Sequence, residues 1–136
     1  MRKRDPEAVA GAFIDAFNAE NLDAMVAVLS ESVEIRGRRG SVRGRDAARE
    51  WATRRASGEL RQRLLLDEVR TEGAVAVAEL RRQWLWVETG EVADEERFGV
   101  LFTLDSDGLI GRWQAFDDLA DALAAAERGK DGSGLV

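Results

Sequence analysis

Glu79 and Arg81 are the residues of this 136-residue chain whose types and spacing best suit chemistry. They stand two apart in VAVAELRRQWLW, a run with strand character, so an extended backbone puts both side chains on one face. A carboxylate beside a guanidinium can hold a water or a substrate hydroxyl, with Glu79 as general base and Arg81 orienting it or steadying developing negative charge. The competing reading is an ion pair across neighbouring strands near solvent, contributing about 0 to 1 kcal/mol. Other chemistries are few, because the chain has no cysteine and no histidine. That removes thiol nucleophiles, imidazole bases, Ser-His-Asp triads and Cys/His zinc sites together. No glycine-rich phosphate loop, metal-ligand cluster or nucleophile elbow occurs, so neither a metal nor a cofactor is expected. Asp117 stands ahead of a helical pattern, where an N-cap is the ordinary role of such an acid. Glu34 and Arg36 alternate with Val33 and Ile35 and are expected at the surface.

The element that must position any site is the stretch ERFGVLFTLDSDGLIGRWQAFDD, from Glu96 to Asp118. It reads as a β-hairpin: Phe98, Val100, Phe102 and Leu104 alternate with Gly99, Leu101 and Thr103, and Asp105-Ser106-Asp107-Gly108 supplies turn chemistry, with Gly108 able to take a positive φ. Both faces carry apolar residues, so the sheet needs cover on each side, from the chain's own helices on one and most simply a second copy on the other. Parity then decides what lines the helix side. A loop of two or four residues puts Trp113 with Phe98, Val100 and Phe102. A loop of three puts Arg112, Gln114 and Phe116 there, and this register is preferred, because it sets Phe116 against Phe98 and leaves two convergent polar groups in an apolar wall. The expected pocket lining is therefore Phe13, Phe17, Trp51, Trp84, Phe98, Val100, Phe102, Arg112, Gln114 and Phe116. Plain core packing is the alternative for each aromatic, but four tryptophans suit a roomy site for ring-shaped apolar ligands.

The rest of the chain supplies the cover. Asp5-Pro6-Glu7 starts a helix whose Val9, Phe13 and Phe17 form one stripe, and Asn21 caps a second, shorter one. A strand is expected at Val33 to Arg36, an Arg/Gly loop at 37 to 44, and a helix from Arg45 to Ser57 with Gly58 as its stop. Strands follow at Leu60 to Thr71 and Ala74 to Glu88, the second with a bulge near Arg81 to Gln83. After the hairpin, Asp117 is expected to cap a helix over Asp118 to Arg128, with a flexible tail at 129–136. Helices first, then long bent strands, then a closing helix make one α+β domain over residues 1–128, in which the sheet wraps the helices as a cone.

In that order the segments FIDAFNAENLDAMVAVLSESVEIR, RGRDAAREW and ERFGVLFTLDSDGLIGRWQAFDDLADAL resemble the SnoaL-like branch of the nuclear transport factor 2-like superfamily, over about residues 7 to 126. The resemblance implies a cone-shaped barrel of strongly curved mixed or antiparallel sheet around N-terminal helices, a deep apolar pocket, and a homodimer through the sheet's outer face. The functions it implies are diverse, spanning polyketide cyclases, steroid isomerases, dehydratases, epoxide hydrolases and pocketed proteins with no known reaction, so fold does not settle function. Enzymes of the group use a buried aspartate or a His/Asp pair, and a chain without histidine departs from the second pattern. The expectation is a small-molecule-binding domain for an apolar molecule, with cofactor-independent acid/base isomerase, cyclase or hydrolase activity as one option. A non-catalytic dimeric ligand-binding or association module is the alternative.

Charge narrows the partners. The net charge is -6, yet residues 36 to 63 hold ten arginines against Asp46, Glu50 and Glu59. Trp51 is the lone aromatic among them, and arginine outnumbers lysine 18 to two across the chain. The cluster therefore reads first as a solvated face and not as a nucleic-acid surface. Without an apolar run of secretory or membrane-spanning length, the expectation is a cytoplasmic protein with no membrane partner.

Overall fold

The computed structural model describes residues 5–37, 40–54 and 58–133. Helix α1 (Pro6–Asn18) begins where expected, with the Asp5 side chain accepting from the Glu7 amide, and it buries Val9, Ala10, Phe13, Ile14 and Phe17 along one stripe. Asn21 caps α2 (Leu22–Ala27) by accepting from the Ala24 amide. Strand β1 (Leu29–Arg36) starts four residues before the expected Val33, because the chain leaves α2 straight into a ladder: the Ile110 amide donates to the Val28 carbonyl at 2.8 Å and Leu29 lies beside Ile110. The Arg/Gly loop contains a short strand, β2 (Ser41–Arg43), and α3 (Arg45–Arg54) follows. The expected end of that helix, at Ser57, lies outside the described residues.

Strands β3 (Leu60–Glu72), β4 (Val75–Trp86), β5 (Val92–Leu104) and β6 (Ile110–Phe116) complete a six-stranded sheet in the order β2-β1-β6-β5-β4-β3. β1 and β6 run parallel and the other neighbours antiparallel, so the sheet is mixed. The expected bulge at Arg81 to Gln83 is absent from β4 itself. The extra residues sit opposite, Asp67 on β3 and Ala93 on β5. They bend the long strands while β4 stays continuous.

The β5–β6 register departs from the preferred one. Phe102 lies opposite Trp113 and Val100 opposite Ala115, so Trp113 faces the helices, while Arg112, Gln114 and Phe116 fall on the outer face with Thr103, Leu101 and Gly99. The loop has five residues, Asp105 to Leu109, in place of the preferred three, with Gly108 at φ 78° and the Asp105 side chain accepting from the Asp107 and Leu109 amides. One extra residue on β6, Gly111, then restores even parity.

Two contacts fasten this frame. Asn18, at the end of α1, donates through Nδ2 to the Leu64 carbonyl and accepts through Oδ1 from the Leu64 amide, both at 2.8 Å. Its amide stands in for a strand partner on the edge strand β3. On the outer face, α4 (Leu119–Ser133) crosses β4 and β5, with Asp118, not Asp117, capping it and its end five residues past the expected Arg128. The start of α4 lies directly on Gly99, where a Cβ would collide with the Asp118 carbonyl. The outer face is thus covered in part by the chain's own helix.

Asn18→Leu should cost about 1–3 kcal/mol in urea unfolding, because both Leu64 backbone groups lose their partner. Gly99→Ala should destabilise by a similar amount and weaken amide-exchange protection first in α4, the element that must move.

Candidate functional site

Glu79 and Arg81 share a face, but it is the outer one. Glu79 lies opposite Gly99 and, across the Asp67 bulge, Glu68. Arg81 lies between Leu65 and Arg97, and its Nε donates to the Asp67 carboxylate at 2.8 Å, with Glu95 3.6 Å from Nη1. The bulge aims Asp67 at Arg81, and that hydrogen bond holds the guanidinium above its ordinary pKa. Next to it, Gln83 accepts from Arg63 Nε at 3.1 Å and donates to Glu95 at 2.6 Å. Arg81 thus joins Asp67 and Glu95 in a cross-strand polar ladder, in line with the ion-pair reading of this face.

The helix side of the sheet is aromatic. The Trp113 ring lies 4.7 Å from that of Phe13 and 5.8 Å from that of Phe102, centroid to centroid, and Phe17 meets Trp51 at 6.3 Å. Phe13, Val100 and Phe102 are fully buried in this packing. Phe17, Trp51 and Phe98, with Trp113, Ala115, Leu64 and Arg82, line a cavity of about 30 Å3 between α1, α3 and the sheet. Trp84 faces the same side, further out along β4 and half buried.

Arg82 is the residue the sequence reading did not single out. It is 9% exposed, its guanidinium carbon lies 4.8 Å from the Phe98 ring centroid and 5.8 Å from that of Trp84, and its Nη1 donates to Glu96 Oε1 at 3.2 Å. Glu96 is its direct cross-strand neighbour, brought there by the β4–β5 register. A carboxylate touching an arginine, in a wall of flat rings, is the constellation expected of Glu79 and Arg81, assembled instead across two strands. The cation–π contacts and the ion pair offset part of the cost of desolvating the guanidinium. Such a group can receive an oxyanion, while Glu96 can take up or return a proton.

The family model for the SnoaL-like domain matches residues 10–113. The chain belongs to the SnoaL-like family. None of the curated proteins matches its sequence. Among solved structures, this SnoaL-like chain is similar to a candidate polyketide cyclase from Xanthomonas campestris pv. campestris, with 24% identity, TM-score 0.67, and 88% of this chain and 94% of that one covered. It is also similar to a nuclear transport factor 2-like protein from Burkholderia thailandensis E264, at 22% identity and TM-score 0.69, over 90% of this chain and 98% of that one. TerC, in a structure co-crystallized with polyporic acid, aligns at 17% identity and TM-score 0.68, over 85% and 93% of the two chains. At these identities the structures establish the shared fold, a curved α+β sheet around N-terminal helices.

If Arg82 and Glu96 form an energetically coupled pair, Glu96→Gln should cost about 1–3 kcal/mol in urea unfolding. The double variant Arg82→Met/Glu96→Gln should recover part of that loss, whereas Glu79→Gln on the outer face should stay within about 0.5 kcal/mol of wild type.

Proposed function

We propose that this SnoaL-like protein binds a flat cyclic molecule carrying an acidic hydroxyl, an enolate or a carboxylate on the helix side of the sheet, with Arg82 as its polar anchor. The observation that carries the reading is a buried arginine in the aromatic wall of the cone, stacked on Phe98 and paired with the Glu96 carboxylate. A cavity of about 30 Å3 admits a water-sized group, so a ring must displace a side chain. We assign that movement to Trp51, half buried on α3 and lining the cavity. Its place is then taken by ligand stacked between Phe17 and Trp113, with the ligand oxygen at the guanidinium.

From that pose, cofactor-free acid/base chemistry follows. Glu96 removes a proton from a carbon next to a carbonyl, and Arg82 meets the negative charge that develops on the oxygen. Glu96 then returns the proton at another carbon, which isomerises the molecule, or to the alkoxide formed when the enolate carbon attacks a second carbonyl, which closes a ring. The candidate polyketide cyclase among the structural neighbours supports this class of substrate, and polyporic acid, the compound crystallized with TerC, supplies a probe.

The test is a thermal-shift screen of the full chain against polyporic acid and against steroid, terpenoid and aromatic polyketide-like compounds. A ligand at 100 times its dissociation constant should stabilise the protein by about 2.7 kcal/mol. Arg82→Met should weaken binding at least tenfold, about 1.4 kcal/mol, while Glu96→Gln should retain binding and lose any turnover. A screen without hits, or hits indifferent to Arg82→Met, would overturn the reading in favour of an association module.

A further inference from the structure

The row of side chains on the helix side of β4 does not stop at Arg82. The β3–β4 ladder runs without a bulge from Leu64 to Leu60, so alternation carries that row on to Trp84 and Trp86, opposite Gln62 and Leu60. Helix α1 ends at Asn18, which is tied to Leu64, the cross-strand neighbour of Arg82. The two tryptophans lie further on, toward the β4–β5 turn. Exposure climbs along the row: Leu80 is fully buried, Arg82 9% exposed, Trp84 half buried and Trp86 44% exposed. From Arg82 to Trp86 the strand advances four residues, roughly 13 Å.

The backbone at this end is held. The Trp86 amide donates to the Glu91 carbonyl at 2.9 Å, the Gly90 amide to the Trp86 carbonyl at 2.7 Å, and the Val87 amide to the Glu59 carbonyl at 3.0 Å. An exposed tryptophan is therefore presented by a closed hairpin tied to the start of β3, which gives a flat surface a fixed place. Charge narrows what that surface suits. From Trp84 to Glu95 the chain carries Glu88, Glu91, Asp94 and Glu95 and neither arginine nor lysine, with Asp94 directly opposite Trp84. An anionic group at this end would meet carboxylates on the hairpin, whereas an uncharged ring would meet the faces of two indoles.

We propose that the ligand of the cone carries a second, uncharged aromatic ring next to its acidic oxygen, and that this ring stacks on Trp84 and Trp86 while the oxygen meets Arg82. The inference rests on Arg82 as the anchor and adds the shape of the substrate, an aryl-substituted ring in place of a bare one. The guanidinium carbon lies 5.8 Å from the centroid of the Trp84 ring, so a ring bonded beside the oxygen falls on Trp84 without a spacer. Trp86, the next position on the same face, extends the platform outward. It is a specificity-determining residue, acting on which molecules are held and not on the proton transfer.

The experiment is a calorimetric titration of the full chain with polyporic acid, a dihydroxyquinone bearing two phenyl rings, and with 2,5-dihydroxy-1,4-benzoquinone, the same acidic core without them. Wild type should bind the phenyl-bearing compound about tenfold more tightly than the core. In Trp86→Ala the ratio of the two affinities should fall to about one, Trp86→Phe should restore most of the preference, and Arg82→Met should weaken both compounds together. Equal affinities in wild type, or a preference that survives Trp86→Ala, would overturn the inference and leave the cone reading standing. Failure of both compounds to bind, or binding of both that ignores Arg82→Met, would overturn the two readings together. A wild-type dimer that Trp86→Ala dissociates, with the preference intact, would give this end of the sheet to a second copy of the chain instead.

Discussion

The pairing of β5 with β6 is the constraint on which both faces of the sheet depend. With Gly111 bulged out, Trp113 enters the cone against Phe13 and Phe102, and Arg112 and Gln114 turn outward beside Leu101 and Thr103. Without the bulge, the same odd loop would drive a guanidinium and an amide between those rings and expel the largest apolar side chain of the strand. Burying an arginine unpaired costs far more than an extra turn residue, and burying tryptophan is among the larger apolar gains available to a chain. The register is therefore chosen by the side chains, and the loop adapts to it. Asp105 makes that adaptation inexpensive, since its side chain ties down the two amides that a longer loop leaves open.

What was legible in the sequence was whatever a residue decides locally. Asp5, Pro6 and Asn21 start helices by chemistry confined to one turn, and Gly108 takes the positive φ that its turn demands. Strand ends at Leu60 and Leu104 and the order of elements followed in the same way. The candidate site was not local. Ala76, Ala78 and Leu80 on one side of β4 and Val75 and Val77 on the other are equally apolar, because α1 packs on one face and α4 on the other. Alternation alone could say that Glu79 and Arg81 share a face but not which face. A hairpin centred near Thr89 does place Arg82 opposite Glu96, so the pair was recoverable by pairing the strands before weighing their residues.

The arginine-rich segment has an account in the same terms. Arg45 donates twice to the Leu29 carbonyl, at 2.9 and 2.7 Å, and locks α3 to the start of β1. Arg49 reaches Asp23 at 2.8 Å, Arg63 takes Gln83, and Arg36 and Arg43 share Glu34. Among the described residues, these five guanidiniums meet carbonyl or carboxylate oxygens within the chain. They act as struts across the first strands, a use for which the planar fork of arginine is better suited than lysine.

Arg82 is different in kind from these struts. A leucine or methionine of similar volume at that position would pack against Phe98 and Trp84 without desolvating a charge, and replacing buried ion pairs with apolar groups is often neutral or stabilising. Stability alone therefore gives little reason to keep a guanidinium there. Its neighbours reinforce the point: Leu80 one step along the same face of β4 and Leu64 across on β3 are the apolar residues that a cone core ordinarily carries. A charge held where an apolar residue would serve the fold as well is the feature on which the proposed ligand reading rests. Among the described residues its contacts include the rings of Phe98 and Trp84 and the carboxylate of Glu96.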